Sequence, residues 1–277
     1  MEKNKTLITA ATGNVGAPLV KALQRKGIPF TAATRDEDKA KQKLGSDINT
    51  VYFDFSDPGS FRPALDGVET MFLCGPSATP GAQEMLLPLI DEAERQNVRH
   101  IVFIASYPKV MEAIQNAGMD YTFLRANFFM QNFEIYQVED IKNRSQIFMP
   151  TGEGKAPFIH TRDIGEVAAE VLASLNKYTG ETLYLTGPEL LDHYEVAQVF
   201  SEVLGRKITY QNPDEETYRK EMEKRGFSET YINAMIAVFG KIKKGQVAAT
   251  SQTVENTLDR KPLTLKQYVQ EKRELFQ

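Results

Sequence analysis

The chain has one cysteine in 277 residues, Cys74, so no disulfide can close within it. Its three histidines, His100, His160 and His193, are scattered, and with a single thiol they form no zinc-type ligand spacing. No metal is expected. Charge of one sign is also lacking: 33 Lys+Arg stand against 37 Asp+Glu, a formal net charge of −4, which argues against a dedicated nucleic-acid binder. Long apolar runs are missing. Runs such as Ile101–Ala105 are far shorter than the ~20 residues that span a bilayer. The opening MEKNKTLITAATG carries no apolar signal-peptide core. A cytoplasmic protein with no membrane partner is expected. No Pro/Gly/Ser-rich linker and no internal repeat interrupts the sequence.

Against these absences stands an ordinary globular balance, 42% hydrophobic and 25% charged, on a chain long enough to bury a large core. Short β-rich runs alternate with helical patterns. Strands are expected at 5–9, 30–34, 50–53, 70–74, 99–105 and 121–124, with helices at 17–26, 37–44, 58–65, 82–96 and 108–117 between them. Such alternation with short connections calls for parallel strands and right-handed crossovers. The expected fold class is α/β, a Rossmann doubly wound parallel sheet with a small, mostly helical C-terminal lobe. Residues 1–150 are assigned to the NAD(P)-binding domain and 151–277 to the lobe, with a last strand near 182–186 returning to the sheet. In the second part Asp163 is expected to cap a helix over 163–175. Asp192-His193-Tyr194-Glu195 and Thr264-Leu265-Lys266-Gln267 read as capping boxes. Phe227, Tyr231, Met235 and Phe239 recur every four residues and read as a core-facing helical stripe.

The first chemical motif is Thr9-Ala10-Ala11-Thr12-Gly13-Asn14-Val15-Gly16, between the first strand and the first helix. Gly13 permits a tight turn and close approach to a pyrophosphate, and Gly16 permits close helix–strand packing. The helix N-terminus offers free N–H groups and a positive dipole end. A glycine turn that follows a strand and opens a helix is a far stronger signal than the glycines alone. Arg35 ends the second strand, 19 positions after Gly16. A carboxylate near that place accepts from the ribose 2′-hydroxyl of NAD, whereas a cation pairs with the 2′-phosphate of NADP. NADP(H) is therefore expected over NAD(H). Lys39 is placed to reinforce Arg35, and the adjacent Asp36 is the complication.

TAATGNVG resembles the TGATGxxG fingerprint of atypical short-chain dehydrogenase/reductases, specifically of the NmrA-like family. Asp54-Phe55-Ser56-Asp57-Pro58 is similar to the family's segment after strand three. Residues 122–132, TFLRANFFMQN, resemble its TxLRPxxFMEN segment, and residues 161–168, TRDIGEVA, its TRDIGxVA element. Ala10 stands where the family has its first glycine, and its methyl is expected to crowd the turn slightly. The resemblance implies cofactor contacts at Ala10, Thr12, Gly13, Asn14, Val15 and Gly16 around the pyrophosphate. It implies Asp54 at the adenine, Gly75, Pro76 and Ser77 along the ribose, and Asn127 beside the nicotinamide. It leaves TRDIG a structural role, with Arg162 tying the lobes.

Many short-chain reductases use a Tyr-x-x-x-Lys pair after strand five, in which the Lys lowers the Tyr pKa for proton exchange with substrate oxygen. Here only Tyr268 has a Lys four positions later, Lys272, in the last helix. That pair reads as a surface pair. Ser106-Tyr107 follows strand five, but Pro108 and Lys109 give the wrong spacing. No catalytic residue is assigned. Phe128, Phe129 and Met130 follow the carboxyl end of strand six, where open α/β sheets bind ligands, and form the expected substrate platform. His160 is a candidate polar group there, with a structural role the plainer alternative.

The expected function is NADPH-dependent hydride transfer to a small hydrophobic acceptor such as a quinone, azo compound or cationic dye, without a dedicated protein acid. The alternative is an NADP(H)-binding redox sensor with no turnover. NmrA-like proteins are known in both roles. A nucleotide-sugar epimerase is disfavoured, because that chemistry calls for the missing Tyr/Lys pair.

Overall fold

Runs rich in β-branched and aromatic residues form the strands, and glycine closes many of the helices that separate them. The computed structural model describes residues 5–76, 79 and 81–277. The chain opens with β1 (Thr6–Ile8), α1 (Gly16–Lys26), β2 (Thr31–Thr34), α2 (Glu37–Leu44) and β3 (Asn49–Tyr52). It continues through a 3-10 turn (Pro58–Ser60), α3 (Phe61–Leu65), β4 (Thr70–Leu73), α4 (Ala82–Arg95), β5 (His100–Ile104), α5 (Pro108–Asn116) and β6 (Asp120–Ala126). Next come a π-helical turn (Phe133–Gln137), α6 (Val138–Arg144), β7 (Gln146–Phe148), α7 (Thr161–Ala173), α8 (Leu175–Tyr178) and β8 (Thr182–Leu185). The remainder is α9 (His193–Leu204), β9 (Thr209–Gln211), α10 (Glu215–Lys224), α11 (Glu229–Lys243), α12 (Thr253–Leu258), α13 (Leu265–Glu271) and α14 (Arg273–Phe276).

Seven strands form one sheet in the order β3-β2-β1-β4-β5-β6-β8, the strand order of a doubly wound Rossmann fold extended by β8. The pairings from β3 to β6 are all parallel. Phe123 N donates to Glu181 O, and Asn127 N to Leu185 O, so β8 also runs parallel to β6. β4 and β5 are buried at every position, as expected of parallel strands covered on both faces. The strand order reverses between β1 and β4, the switch point at which such sheets bind ligands.

The chain packs as two units, Met1–Ala126 with Thr161–Tyr184, and Asn127–His160 with Leu185–Gln277. These bounds differ from a single cut at residue 150. The chain leaves the first unit directly after β6 and returns to it for α7, α8 and most of β8. The return is held by close packing of α7 on α1. A Cβ on Gly165 would lie 2.6 Å from Leu19 N and 2.8 Å from Pro18 Cβ. Arg25 pairs with Glu166 at 2.7 Å, and Lys26 pairs with Glu170. Asp163 is not the helix cap expected of it. α7 begins two residues earlier, at Thr161, and Asp163 lies buried in its first turn.

Leu7, Phe61, Met71, Leu86, Ile101, Phe103 and Phe123 lie in the core of the first unit. Phe133, Phe158, Phe200, Tyr268 and Phe276 lie in the main core of the second. Both expected capping boxes are present, Asp192 with Glu195 and Thr264 with Gln267. The stripe on α11 divides instead of turning wholly inward. Met235 and Phe239 pack partly against a small core of Tyr218, Met222 and Ile232, while Phe227 lies exposed.

Candidate functional site

In the first unit the glycine turn is built by close approach. Gly13 N donates to Ala10 O at 2.8 Å, and Ala17 N to Gly13 O at 2.9 Å. A Cβ on Gly16 would lie 2.1 Å from Ala10 O and 2.8 Å from Ala11 Cα, so only glycine fits. On Gly13 it would lie 3.1 Å from the same oxygen. Ala10 has φ 47°, a left-handed conformation that costs a non-glycine residue about 1–2 kcal/mol. Thr9 Oγ1 donates to Phe72 O at 3.1 Å and accepts from Cys74 N at 2.9 Å, which fixes the end of β1 against the end of β4. α1 then starts at Gly16 with no side-chain cap and no acidic residue in its first turn. Its end is thus well suited to an anion supplied from outside.

The charges after β2 are sorted by local bonding. Asp36 caps α2, accepting from Lys39 N at 3.0 Å, and pairs with Lys39 Nζ at 3.1 Å. The Lys39 backbone N–H and ammonium hold its carboxyl below the usual carboxylate range. Lys41 pairs with Glu37 at 3.7 Å. Arg35 is exposed and makes no ion pair among the described residues. Lys43 Nζ donates to the carbonyl oxygen of Thr12 at 2.8 Å, which brings an ammonium to the glycine turn.

After β3, Asp54 Oδ1 accepts from Ser56 N at 2.9 Å, and Asp54 N donates to Ser60 Oγ at 3.1 Å. After β4, a Cβ on Gly75 would lie 2.7 Å from Leu86 Cδ1 and 3.3 Å from Tyr107 Cε2. Tyr107 OH donates to Pro76 O at 2.6 Å, and burial raises its phenol pKa. Ser77 lies outside the described residues. Burial pushes the Cys74 thiol up to about 11, which keeps it protonated at neutral pH.

In the second unit, Asn127 Oδ1 accepts from Phe128 N at 2.8 Å, and its Nδ2 donates to Val247 O at 3.3 Å. Phe128 and Phe129 are partly buried. Met130 is buried in the core at 1% exposure, and Phe128 packs against the same core. Gln131 Nε2 lies 3.2 Å from His160 Nε2, and the His160 ring meets Tyr268 edge-on at 5.7 Å. Tyr268 is fully buried, which corrects its reading as part of a surface pair, and Lys272 pairs with Glu134 at 3.1 Å. Among the described residues no group of three His, Cys, Asp or Glu is placed to hold a metal ion, and no helix is long and apolar enough to cross a membrane.

Residues 89–269 match the sequence profile of the NmrA-like family. The chain belongs to the NmrA-like family. Residues 10–112, which contain the glycine turn, Arg35, Asp54 and Gly75, match an NAD(P)H-binding profile, and this NmrA-like chain is an NAD(P)H binder. Prestalk A differentiation protein A of Dictyostelium discoideum is 30% identical over 281 residues, covering 97% of this chain and 92% of that protein. An NAD(P)H azoreductase of Xenophilus azovorans is 29% identical, covering 95% and 96%. Among solved structures, an NADPH-dependent quinone oxidoreductase from Escherichia coli complexed with NADPH shares the fold at TM-score 0.86 and 21% identity, covering 98% of this chain and 100% of that one.

Lys43 and Tyr107 take parts that sequence reading did not give them. Lys39 and Lys43 stand one helical turn apart on α2, so sequence marked the helix face and not which ammonium a carboxylate neutralises. The hydroxyl of Tyr107 reaches a carbonyl 31 positions away, a contact with no local signal.

Proposed function

We propose that this oxidoreductase binds NADPH in preference to NADH and delivers hydride to a flat hydrophobic acceptor: a quinone, an azo compound or a cationic dye. The division of charge after β2 carries the cofactor reading. The carboxylate that would meet a ribose 2′-hydroxyl is committed to capping α2 and to Lys39. Arg35, which makes no ion pair among the described residues, and the ammonium of Lys43 are left for a 2′-phosphate, with charge-assisted hydrogen bonds.

The remaining residues suit the dinucleotide. Thr12, Gly13, Asn14 and Val15 lead into the uncapped start of α1 and receive the pyrophosphate. Asp54 serves the adenine, Gly75 and Pro76 the ribose, and Asn127 the nicotinamide, with Ser77 kept in the proposed set. When bound, the reduced nicotinamide supplies a hydride from C4. Phe128 and Phe129 supply an apolar surface on which an acceptor is oriented, and Met130 backs them from the core. No protein acid is assigned. The Tyr107 hydroxyl is already donated to Pro76 O, and Tyr268 lies within the core of the second unit. The azoreductase named among the relatives supports the acceptor class.

The test is NADPH oxidation with a panel of quinones, azo compounds and cationic dyes, beside binding titrations of NADPH and NADH. Turnover with flat acceptors and tighter NADPH binding are expected. Tight NADPH binding with no turnover on any acceptor overturns the reductase in favour of a redox sensor.

A further inference from the structure

Residues 244–252, which join α11 to α12, are pinned within the second unit to Asn127, the first residue after β6, and to Thr186, the first after β8. At the start of the segment Gly245 N donates to Ile242 O at 2.8 Å. A Cβ on Gly154 would lie 2.1 Å from that same oxygen, so the 152–154 loop and the end of α11 meet at backbone level. At its far end Ser251 N donates to Thr186 Oγ1 at 2.9 Å. Between these points Asn127 Nδ2 donates to Val247 O at 3.3 Å. Val247 O also accepts from Ala249 N at 2.9 Å, which engages both of its lone pairs and fixes its direction.

These contacts decide how the Asn127 amide is turned. A backbone N–H only donates, and a backbone carbonyl only accepts. Phe128 N, at 2.8 Å, therefore faces Oδ1, and Val247 O faces Nδ2. An asparagine flip is assigned from its hydrogen-bond network, and here two backbone partners demand the same orientation. The oxygen already has a donor. One Nδ2 hydrogen is left without an acceptor among the described residues, on a half-buried side chain. An N–H without a partner is the costlier deficit, because a carbonyl oxygen with one donor can leave its second lone pair unused. What Asn127 has to offer a ligand is a hydrogen-bond donor.

We propose that Asn127 recognises the nicotinamide carboxamide by its oxygen, donating the remaining Nδ2 hydrogen, and that Val247 and the Ser251–Thr186 bond hold this donor in place. The inference rests on the reading that sets Asn127 beside the nicotinamide, and it adds which half of the carboxamide is read. The amino half is not recognised by Asn127. Val247 and Thr186 act through Asn127 as positioning residues, which makes the segment after α11 part of the cofactor site without a contact of its own to the ring.

The experiment measures Kd by calorimetric titration of the full chain with three nucleotides. These are oxidised NADP, its 3-acetylpyridine analogue, and 2′-phospho-ADP-ribose. The analogue keeps the carbonyl oxygen and has a methyl in place of the amino group; the third ligand lacks the ring. The unmodified protein is expected to bind NADP and the analogue within about threefold of each other. Asn127→Ala is expected to weaken both by about threefold to tenfold while 2′-phospho-ADP-ribose stays within about twofold, which also shows that the variant is folded. Asn127→Asp, which keeps an acceptor for Phe128 N and turns an oxygen toward Val247 O, loses at least as much for both ring-bearing ligands. Thr186→Val removes the bond to Ser251 and is expected to weaken NADP by about twofold or more on its own, and to add nothing to Asn127→Ala. An analogue bound more than about threefold weaker than NADP by the unmodified protein shows that the amino group is read, and overturns the donor. So does a change of less than about threefold for NADP in Asn127→Ala, or an equal loss for 2′-phospho-ADP-ribose. Additive losses for Thr186→Val and Asn127→Ala overturn the positioning role. Failure of the unmodified protein to bind either NADP or 2′-phospho-ADP-ribose removes the NADP(H) reading together with this inference, whereas failures confined to the analogue or the variants remove the inference alone.

Discussion

Lys43 Nζ reaches the carbonyl oxygen of Thr12 at 2.8 Å, tying the last turn of α2 to the glycine turn between β1 and α1. The contact selects among the lysines of α2. Lys39 and Lys41 lie on carboxylates of their own helix and its cap, whereas Lys43 stands beside the segment proposed to hold the cofactor's phosphates.

Arg35→Ala is therefore expected to remove most of the preference for NADPH over NADH, by about tenfold or more in the ratio of dissociation constants, since hydrogen bonds to charged groups contribute about 1.5–3 kcal/mol. Lys43→Met lowers the same ratio by a smaller factor. Lys39→Met leaves it within twofold, because Lys39 is neutralised by Asp36. Titration of each variant with both cofactors decides the matter. Equal constants for the two cofactors in the unmodified protein exclude the preference altogether.

Ala10→Gly is expected to stabilise the protein. At φ 47° the alanine methyl is strained in a way that glycine is not. The relief outweighs the extra freedom glycine adds to the unfolded chain, leaving a gain of about 1 kcal/mol. Urea unfolding of the two proteins measures it, and an unchanged or lower midpoint refutes the strain.

The glycine turn shows how much of this was legible. Gly13 and Gly16, the α/β alternation, β8 and both capping boxes are local patterns, and each appears where sequence put it. Asp163 misled because an acid followed by a helical pattern reads as a cap, whereas the helix already includes Thr161. Phe128, Phe129 and Met130 read as one platform because they are consecutive, whereas in the structure Phe129 forms a bridge with Ile159 and Met130 lies in the core. The contacts of Lys43 and Tyr107 join distant positions, which a single sequence does not encode locally.

His193 makes stability depend on pH. It is buried with its Nδ1 2.8 Å from Thr151 Oγ1 and its ring beside Phe133, Phe158 and Tyr210, and burial lowers its pKa from 6.5 to about 3. Below pH 6.5 the unfolded chain takes a proton at this ring that the folded chain refuses until about pH 3. The unfolded state then binds more protons, so stability is full above pH 6.5 and falls as the pH drops toward 3, at up to about 1.4 kcal/mol per pH unit. His100, whose pKa burial also lowers, adds in the same direction. Urea unfolding at pH 7 and pH 5 is expected to show His193→Phe losing about 2 kcal/mol less than the unmodified protein over that interval. Equal losses remove His193 from the account.

The acceptor range follows from where the tyrosine hydroxyls point. Reducing a ketone creates a strongly basic alkoxide, poorly stabilised in a dry site without an acid or an oxyanion partner. Hydride addition to a triarylmethane cation neutralises it and needs no proton. A quinone yields a hydroquinone anion weakly basic enough to take its proton from water. Tyr107 follows β5, near where short-chain reductases carry their acid, but its hydroxyl is donated to Pro76 O at 2.6 Å and its pKa is raised. An acid for this chemistry needs a lowered pKa and a free hydroxyl. Turnover is therefore expected with menadione and cationic dyes, and not with simple ketones or aldehydes. Tyr107→Phe, which loosens the Gly75–Pro76 segment, is expected to raise the KM for NADPH severalfold and to lower kcat by less than tenfold. Steady-state kinetics on the four acceptor types, with this variant alongside, provide the check. Efficient ketone reduction, or a thousandfold fall in kcat for Tyr107→Phe, would establish Tyr107 or another side chain as the proton donor and end the account of hydride transfer without a protein acid.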